Sequence, residues 1–135
     1  MTIEYIETIK PRISDINYGG HLGHVELVSL LHEVRAQFLK KHGISEIEID
    51  GCALYMKDLQ LNYTNQAFWD NELKIHMTLE SDGAKIIFKY IVHNLVSNNT
   101  TAKAEATMVL VNKDNQKPLK PDLFFEKFNN DKNAR

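Results

Sequence analysis

The sequence predicts one α+β domain in which a single long helix packs against an antiparallel sheet. Two patterns indicate this class. Apolar residues recur at intervals of three and four over 25–39, the helical period, and they alternate with polar residues in several later segments, the strand period. A third observation is that 43% of the 135 residues are apolar, enough for one hydrophobic core. Because no repeat or linker interrupts the chain, we take 1–135 as one domain whose polar tail, 129–135, should fray.

The first predicted element is a strand within residues 3–13, where Ile3 and Tyr5 alternate with glutamates and Pro11 marks an ending. The helix follows from Val25 until Gly43 stops it. Apolar residues cover so much of the circumference of this helix that we expect other structure to wrap it.

Four further strands are predicted to follow the helix as a meander. Alternation is clearest in 59–63 and 73–80, and the turn at Gly83 leads into two more strands, the last of which carries three alanines on one face. Those small side chains leave room for the helix. The segment 121–128 predicts a short helical turn packed on an edge of the sheet.

The composition argues against several classes of protein. Lys and Arg number 16 against 18 for Asp and Glu, so a net charge of −2 gives no reason to expect nucleic acid or an anionic membrane as the main partner. Cys52 is the single cysteine, which excludes an internal disulfide, and we expect it to be a small buried apolar residue. No segment has the apolar length of a membrane span, and the first residues do not resemble a signal peptide, which predicts a cytoplasmic protein.

The polar, glycine-rich segment 12–24 runs directly into the predicted helix and concentrates the residues suited to chemistry. It contains Asp15, Asn17, His21 and His24 together with three glycines. A zinc site needs three or four converging ligands, and no acid or cysteine stands at a spacing that complements the two histidines. We therefore expect no metal.

This segment resembles the active-site loop of the hotdog-fold acyl-CoA thioesterases of the 4-hydroxybenzoyl-CoA type, Asp-x-Asp-x-x-Gly-His-Val-Asn-Asn followed by a helix with an acid and an Arg before an aromatic residue. The matching positions are Asp15, Asn17, Gly20, His21, Leu22, Gly23 and His24, then Glu33, Arg35 and Phe38. Downstream, "YTNQAFWDNEL" resembles the family's Tyr-x-x-Pro-Ala-x-x-Gly-Asp-x-Leu, with Tyr63, Ala67, Asp70 and Leu73 in register. Two motifs about 40 residues apart are more specific than either one alone.

The resemblance implies a hotdog fold, a five- or six-stranded antiparallel sheet wrapped around one central helix. It implies hydrolysis of an acyl-CoA or acyl-carrier thioester, with coenzyme A as part of the substrate and no separate cofactor. It also implies a homodimer, or a tetramer, with sites at the subunit boundary. An unpaired edge strand would favour the same joined sheet.

The start of the helix suits a thioester for a physical reason. Attack on the thioester carbonyl makes an oxyanion, and a helix N-terminus offers unpaired backbone N–H groups and a positive dipole end. Gly20 and Gly23 let an acyl carbonyl approach, and the donors around Gly23, His24 and Val25 are the candidate oxyanion site.

The base is harder to assign, because Asn17 stands where the family pattern has its second acid and an amide cannot accept a proton at neutral pH. The chain here resembles plant acyl-ACP thioesterases, in which Asn orients the substrate and His helps to activate the nucleophile. Asn17 and His21 fit those roles. Other members of the superfamily place the working carboxylate on the central helix, which makes Glu33 the second candidate base, unless it only forms a salt bridge with Arg35 or Lys40.

The remaining candidates each have a simpler explanation. Asp15 is a candidate catalytic residue, but an Asp in a turn often caps backbone N–H groups. The aromatic residues Tyr63, Phe68 and Trp69 are candidates for an acyl pocket, although core or interface packing is the more frequent use of such side chains.

Two other functions stay open at the level of sequence. A hotdog hydratase or dehydratase acting on β-hydroxyacyl thioesters would use a histidine and an acid on the same fold. A non-catalytic acyl-CoA-binding module would keep the pocket and lose the base, which the amide at position 17 allows. Fold alone does not separate these from a thioesterase.

Overall fold

The computed structural model describes residues 2–133, and the side chains of residues 2–128. The elements are β1 (Ile3–Ile9), a 3₁₀ turn (Ile13–Asp15), α1 (His24–Lys41), β2 (Cys52–Tyr63), β3 (Leu73–Asp82), β4 (Lys85–Asn94), β5 (Asn99–Asn112), β6 (Pro118–Leu119) and α2 (Asp122–Asn133). The predicted α+β class, with one long helix and an antiparallel sheet of six strands, is confirmed. The first strand ends earlier than predicted, at Ile9.

The strand order is β1-β3-β4-β5-β2, with β6 paired to β5. The prediction of a four-stranded meander is therefore wrong for β2, because β2 pairs with β5 instead of β3. The reason is that β1 already occupies the free side of β3, with Ile3 opposite Leu79. As a result β2 lies at one edge of the sheet, and the meander begins at β3 and continues through β4 and β5 to the short β6.

Strand β2 contains a bulge that the alternation of apolar and polar residues did not predict. The register with β5 shifts between Met56 and Asp58. Leu54 and Met56 precede the bulge, whereas Leu59 and Leu61 follow it, so the two pairs are out of phase in the sequence. An extra residue in one strand bends it and restores both pairs to the same face.

Helix α1 buries one stripe against the sheet. Its buried members are Leu27, Leu30, Leu31, Val34, Arg35, Phe38 and Leu39. The other side, including Val25, Ser29 and Glu33, is exposed, so the sheet covers the helix on one side only.

The end of α1 is defined by a Schellman motif. Gly43 takes φ +75°, its N–H donates to the Lys40 carbonyl, and the Ile44 N–H donates to the Leu39 carbonyl. The predicted stop at Gly43 is thus confirmed, and Ile44 packs against the core.

The C-terminal segment is a longer helix than the predicted turn, and it belongs to the core. Phe124 and Phe128 are 0% and 1% exposed, and the Phe128 ring stacks on Phe38 at 5.1 Å between centroids. The backbone is helical to Asn133, which reaches into the tail that we expected to fray, and residues 134 and 135 lie outside the described residues. Within residues 2–133, neither helix has the length and apolar character needed to cross a membrane.

Candidate active site

The loop between β1 and α1 is closed on itself by backbone hydrogen bonds. Ile16 and Leu22 form an isolated β-bridge, and the Gly23 N–H donates to the Asp15 carbonyl at 3.4 Å. The Asp15 carboxylate is buried and accepts from the Arg12 backbone N–H at 2.7 Å and from the Arg12 guanidinium at 3.3 Å. This is the capping role that was the simpler explanation for Asp15, and both its oxygens are occupied by it.

The side chains of Asn17 and His21 both lie beside Gly19 in the loop. The Asn17 Oδ1 accepts from the Gly19 N–H at 2.9 Å, which fixes the amide by a turn of its own backbone. A Cβ on Gly19 would lie 3.1 Å from His21 Cε1 and 3.2 Å from Asn17 Oδ1. Gly20 takes φ +85°, a left-handed conformation that favours glycine. The loop therefore holds the imidazole and the amide on the same short turn.

The amide also reaches the start of α1. A Cβ on Gly23 would lie 3.4 Å from Asn17 Nδ2 and 2.1 Å from Glu26 Oε1, so the space beside Gly23 is filled by these two side chains. The first hydrogen bond of the helix runs from the Leu27 N–H to the Gly23 carbonyl. The N–H groups of His24 and Val25 precede it and have no partner within the helix.

Tyr63, at the end of β2, ties this loop to the sheet. Its hydroxyl donates to the Leu22 carbonyl at 2.6 Å, and the Leu22 N–H donates to the Ala67 carbonyl at 2.8 Å. Burial raises the pKa of the Tyr63 hydroxyl, which keeps it a donor at neutral pH. Tyr63 and His21, with residues 64–66, line a groove of about 230 Å³ beside the loop.

Phe68 and Trp69 are 48% and 59% exposed, so neither fills the core of the chain. Asp70 takes φ +64°, which is a glycine-like conformation. Asp70 thus stands at the glycine of the downstream motif, not at its acid, and Asn71 takes the acid's place. Asn71 Oδ1 accepts from the Phe68 N–H at 2.9 Å, so it shapes the turn.

Glu33 does not join the other candidates within one chain. It is exposed, accepts a hydrogen bond from Gln37 Nε2 at 2.6 Å, and lies about 14 Å along the helix from His24. Among the described residues Glu33 forms a salt bridge with neither Arg35 nor Lys40, and Arg35 points to the sheet side and pairs with Glu46.

Sequence reasoning missed two features of this region. Glu26 occupies the third helical position, where an acid commonly folds back over the N-cap, and that spacing was the available signal. The pairing of Arg35 with Glu46 had no local signal, since the two residues belong to different segments. No group of three or more metal-ligating side chains converges among the described residues.

The chain was compared with known families and structures. A sequence profile of the thioesterase-like superfamily matches residues 11–128. Comparison with curated proteins finds no significantly similar sequence. A 1,4-dihydroxy-2-naphthoyl-CoA thioesterase from Synechocystis superimposes with a TM-score of 0.82 at 16% identity, over 92% of this chain and 94% of that one.

Two further structures extend this likeness. A DHNA-CoA thioesterase from Staphylococcus aureus has a TM-score of 0.78 at 19% identity, over 97% of this chain and 89% of that one. A 12:0-ACP thioesterase from Umbellularia californica has a TM-score of 0.80 at 11% identity, over 93% of this chain and 52% of that one. At these identities the likeness establishes the hotdog fold. The profile match over most of the length shows that this chain belongs to the thioesterase-like superfamily.

Proposed function

We propose that this chain hydrolyses an acyl thioester of coenzyme A or of an acyl carrier protein, by attack of water at the N-terminus of α1. Membership of the thioesterase-like superfamily supports a thioester hydrolase as the class of protein. Two of the similar structures are CoA thioesterases and one is an acyl-ACP thioesterase, which supports these two carriers.

The observation that carries the proposal is the convergence of three groups around the glycine turn. The Asn17 amide connects them, because it lies with the His21 ring beside Gly19 and its Nδ2 lies beside Gly23, where α1 begins. The Asn17 Oδ1 is already used by the Gly19 N–H, whereas Nδ2 donates no hydrogen bond within residues 2–128. Nδ2 is thus the free donor for a thioester carbonyl or for the attacking water.

The reaction follows from these positions. His21 takes a proton from water, and the oxygen bonds to the thioester carbon. The resulting oxyanion is stabilised by the N–H groups of His24 and Val25, which need no reorganisation because the helix holds them. The C–S bond then breaks, the proton that His21 accepted passes to the leaving sulfur, and the free thiol and the acid are released. Space beside the turn is open at Gly20, where a Cβ would meet nothing within 4 Å, whereas the Glu26 carboxylate lies beside Gly23.

The other candidates take supporting roles in this scheme. Asp15 holds the loop through Arg12 and does not contact the substrate. Tyr63 orients the loop through Leu22. Phe68 and Trp69 follow the groove residues 64–66 in the chain and provide exposed apolar surface for the acyl or pantetheine part of the substrate. Glu33 is the alternative base, which would act on the site of a second chain.

A homodimer joined through β2 is part of the proposal. Strand β2 is an edge of the sheet, and Tyr55, Met56 and Leu59 on it are 45%, 44% and 36% exposed. An exposed edge with apolar side chains is a template for pairing with another strand, and a second copy of this chain would extend the sheet. Sedimentation of the wild type beside Met56→Lys tests this, because an edge charge should shift a dimer to monomer. A wild type that sediments as a monomer at micromolar concentration would refute it.

The first experiment measures free-thiol release from short, long and aromatic acyl-CoAs and from an acyl carrier protein thioester. Wild type is compared with His21→Ala, Glu33→Gln and the control His93→Ala, whose ring lies on β4 beside Asn98. We expect turnover of at least one substrate and a loss of about 100-fold or more in His21→Ala, with little change in the other two.

Other outcomes decide between the alternatives. If Glu33→Gln loses activity and His21→Ala keeps it, the base is the helix carboxylate. If acyl-CoA binds but no thioester is cleaved, the hydrolase proposal is wrong. Water addition to an enoyl-CoA would then identify a hydratase, and its absence would identify a binding module.

A further inference from the structure

A second cavity lies between α1 and the sheet and has no role in the reaction described above. Its volume is about 340 Å³, within the range of small-molecule sites. Its walls are mostly apolar and include Val28, Leu31, Leu54, Met56 and Leu59. It begins at Val28, about one helical turn after the donors at His24 and Val25.

A fixed guanidinium forms part of the lining. Arg35 is only 4% exposed, and its Nε donates to Glu46 Oε1 at 3.2 Å. Its Nη1 donates to the Tyr90 hydroxyl at 2.9 Å, and its central carbon lies 5.8 Å from the Phe88 ring centroid. Three neighbours therefore hold the guanidinium in place before any ligand arrives.

Two hydrogen-bond donors in this cavity lack an acceptor among the described residues. Glu46 has both oxygens occupied, one by Arg35 and the other by His32 Nε2 at 2.7 Å. The Nη2 of Arg35 and the hydroxyl proton of Tyr90 have no acceptor among the described side chains and backbone. Both side chains line the cavity, so an acceptor that enters it can receive hydrogen bonds from these two donors.

We propose that this cavity receives the acyl chain and that Arg35 and Tyr90 bind a neutral oxygen, a hydroxyl or keto group, near its far end. The inference rests on the proposed function. Arg35 and Glu46 together carry no net charge, so a carboxylate would enter an apolar cavity without a free compensating cation. A hydroxyl or keto oxygen is cheaper to desolvate and can accept from both donors.

The position of Arg35 along α1 indicates which length of acyl chain would reach it. Arg35 lies about 16 Å along the axis from His24, and helical side chains lean back toward the N-terminus, so the donors stand roughly 10 Å from the thioester carbonyl. An octanoyl chain spans a distance of this order. Its terminal methyl would meet the two donors, whereas a terminal hydroxyl would satisfy them.

The experiment compares kcat/KM for octanoyl-CoA, ω-hydroxyoctanoyl-CoA and suberyl-CoA, whose chain ends in a carboxylate. Butyryl-CoA, too short to reach Arg35, reports the hydrolase activity itself. The wild type should prefer the ω-hydroxy substrate over the other two long substrates by about 10- to 100-fold. Tyr90→Phe, and Arg35→Met combined with Glu46→Leu, should bring that ratio to within about threefold of unity, and Lys40→Met on the exposed side of α1 is the control.

Binding of the corresponding uncleavable thioethers, octyl-CoA and ω-hydroxyoctyl-CoA, separates the two proposals. If no thioester is cleaved but the ω-hydroxy thioether binds at least about 10-fold more tightly, the cavity assignment stands and the hydrolase proposal fails. If the wild type treats the octanoyl and ω-hydroxyoctanoyl substrates alike, or if the thioethers bind equally, the cavity assignment is overturned. Because both tests use the wild type, a variant that fails to fold changes neither conclusion.

Discussion

The substitution Asn17→Asp isolates what the amide contributes to the site. The carboxylate of Asp can still accept from the Gly19 N–H, as Asn17 Oδ1 does at 2.9 Å, so the turn should form. What is lost is the Nδ2 donor beside Gly23, and a second negative charge is placed near Glu26. The variant therefore keeps the structural hydrogen bond of Oδ1 and removes only the Nδ2 donor, which faces the substrate in the proposed reaction.

The expected loss is set by the value of one preorganised donor. Removing such a donor from a transition state costs about 2.7–4 kcal/mol, or about 100- to 1,000-fold in kcat. Stability should change by less than about 1 kcal/mol in Asn17→Asp, because the hydrogen bond to Gly19 remains. Asn17→Ala loses that bond as well and should cost about 1 kcal/mol of stability in addition to the activity.

The assay is thiol release at saturating substrate, with urea unfolding of the same preparations. Asn115→Asp is a matched control, because Asn115 Oδ1 also accepts from a backbone N–H two residues later, that of Lys117 at 2.9 Å. The control should change neither quantity. If Asn17→Asp keeps kcat within about threefold of wild type, or exceeds it, the amide donor is not part of the reaction.

Three predictions concern the fold. Phe128→Ala should lower the free energy of unfolding by about 3–5 kcal/mol in urea titrations, since the ring is 1% exposed, and a loss below about 1 kcal/mol would mean that α2 does not belong to the core. Gly43→Ala should cost about 1–2 kcal/mol in the same titrations because of φ +75°, and no loss would mean that α1 ends in another way. Burial raises the pKa of Tyr90 above 10.0, so the folded protein keeps that proton to higher pH than the unfolded chain. This stabilisation is complete below about pH 10 and is lost as the pH rises through the folded pKa, so stability should fall less steeply there in Tyr90→Phe, whereas parallel curves would contradict it.

Local features of the fold were predictable because one buried face imposes its own period. The stripe from Leu27 to Phe38 marked α1, and Gly43 marked its end, since an L-residue side chain is strained at the left-handed conformation found there. The turn at Gly83, with φ +62°, was predictable for the same reason.

The arrangement of β2 was not predictable, because it depends on a competition between distant segments. β1 and β2 both could pair with β3, and nothing local to either sequence says that β1 takes that place. The bulge between Met56 and Asp58 also broke the alternation, so the pattern indicated only the half of β2 that follows it.

The candidate site likewise has one part that could be predicted from the sequence and one part that could not. Asn17, His21 and Gly23 were predictable as a group, since a short glycine-rich turn before a helix holds them within a few residues. Glu33 was predicted on a helix wrapped by other structure, yet it is exposed on the uncovered side of α1. The contact from Arg35 to Tyr90 spans 55 residues, and no periodicity in either segment signals it.

An amide in place of an acid at position 17 assigns two tasks, holding the water and accepting its proton, to different side chains. A carboxylate at position 17 could hold the attacking water and also accept its proton, whereas the Asn17 amide can only hold the water. A neighbouring side chain must then accept the proton, and His21 lies beside the same Gly19. If the two residues act on one step, the double variant Asn17→Ala with His21→Ala should lose little more kcat than the worse single variant, because a water that is not held gains nothing from a base. If the losses multiply instead, the two side chains act independently and the base must be sought elsewhere. The comparison needs only the four proteins of this cycle and one substrate, and unfolding curves for all four show whether each loss of activity is a loss of chemistry or of fold.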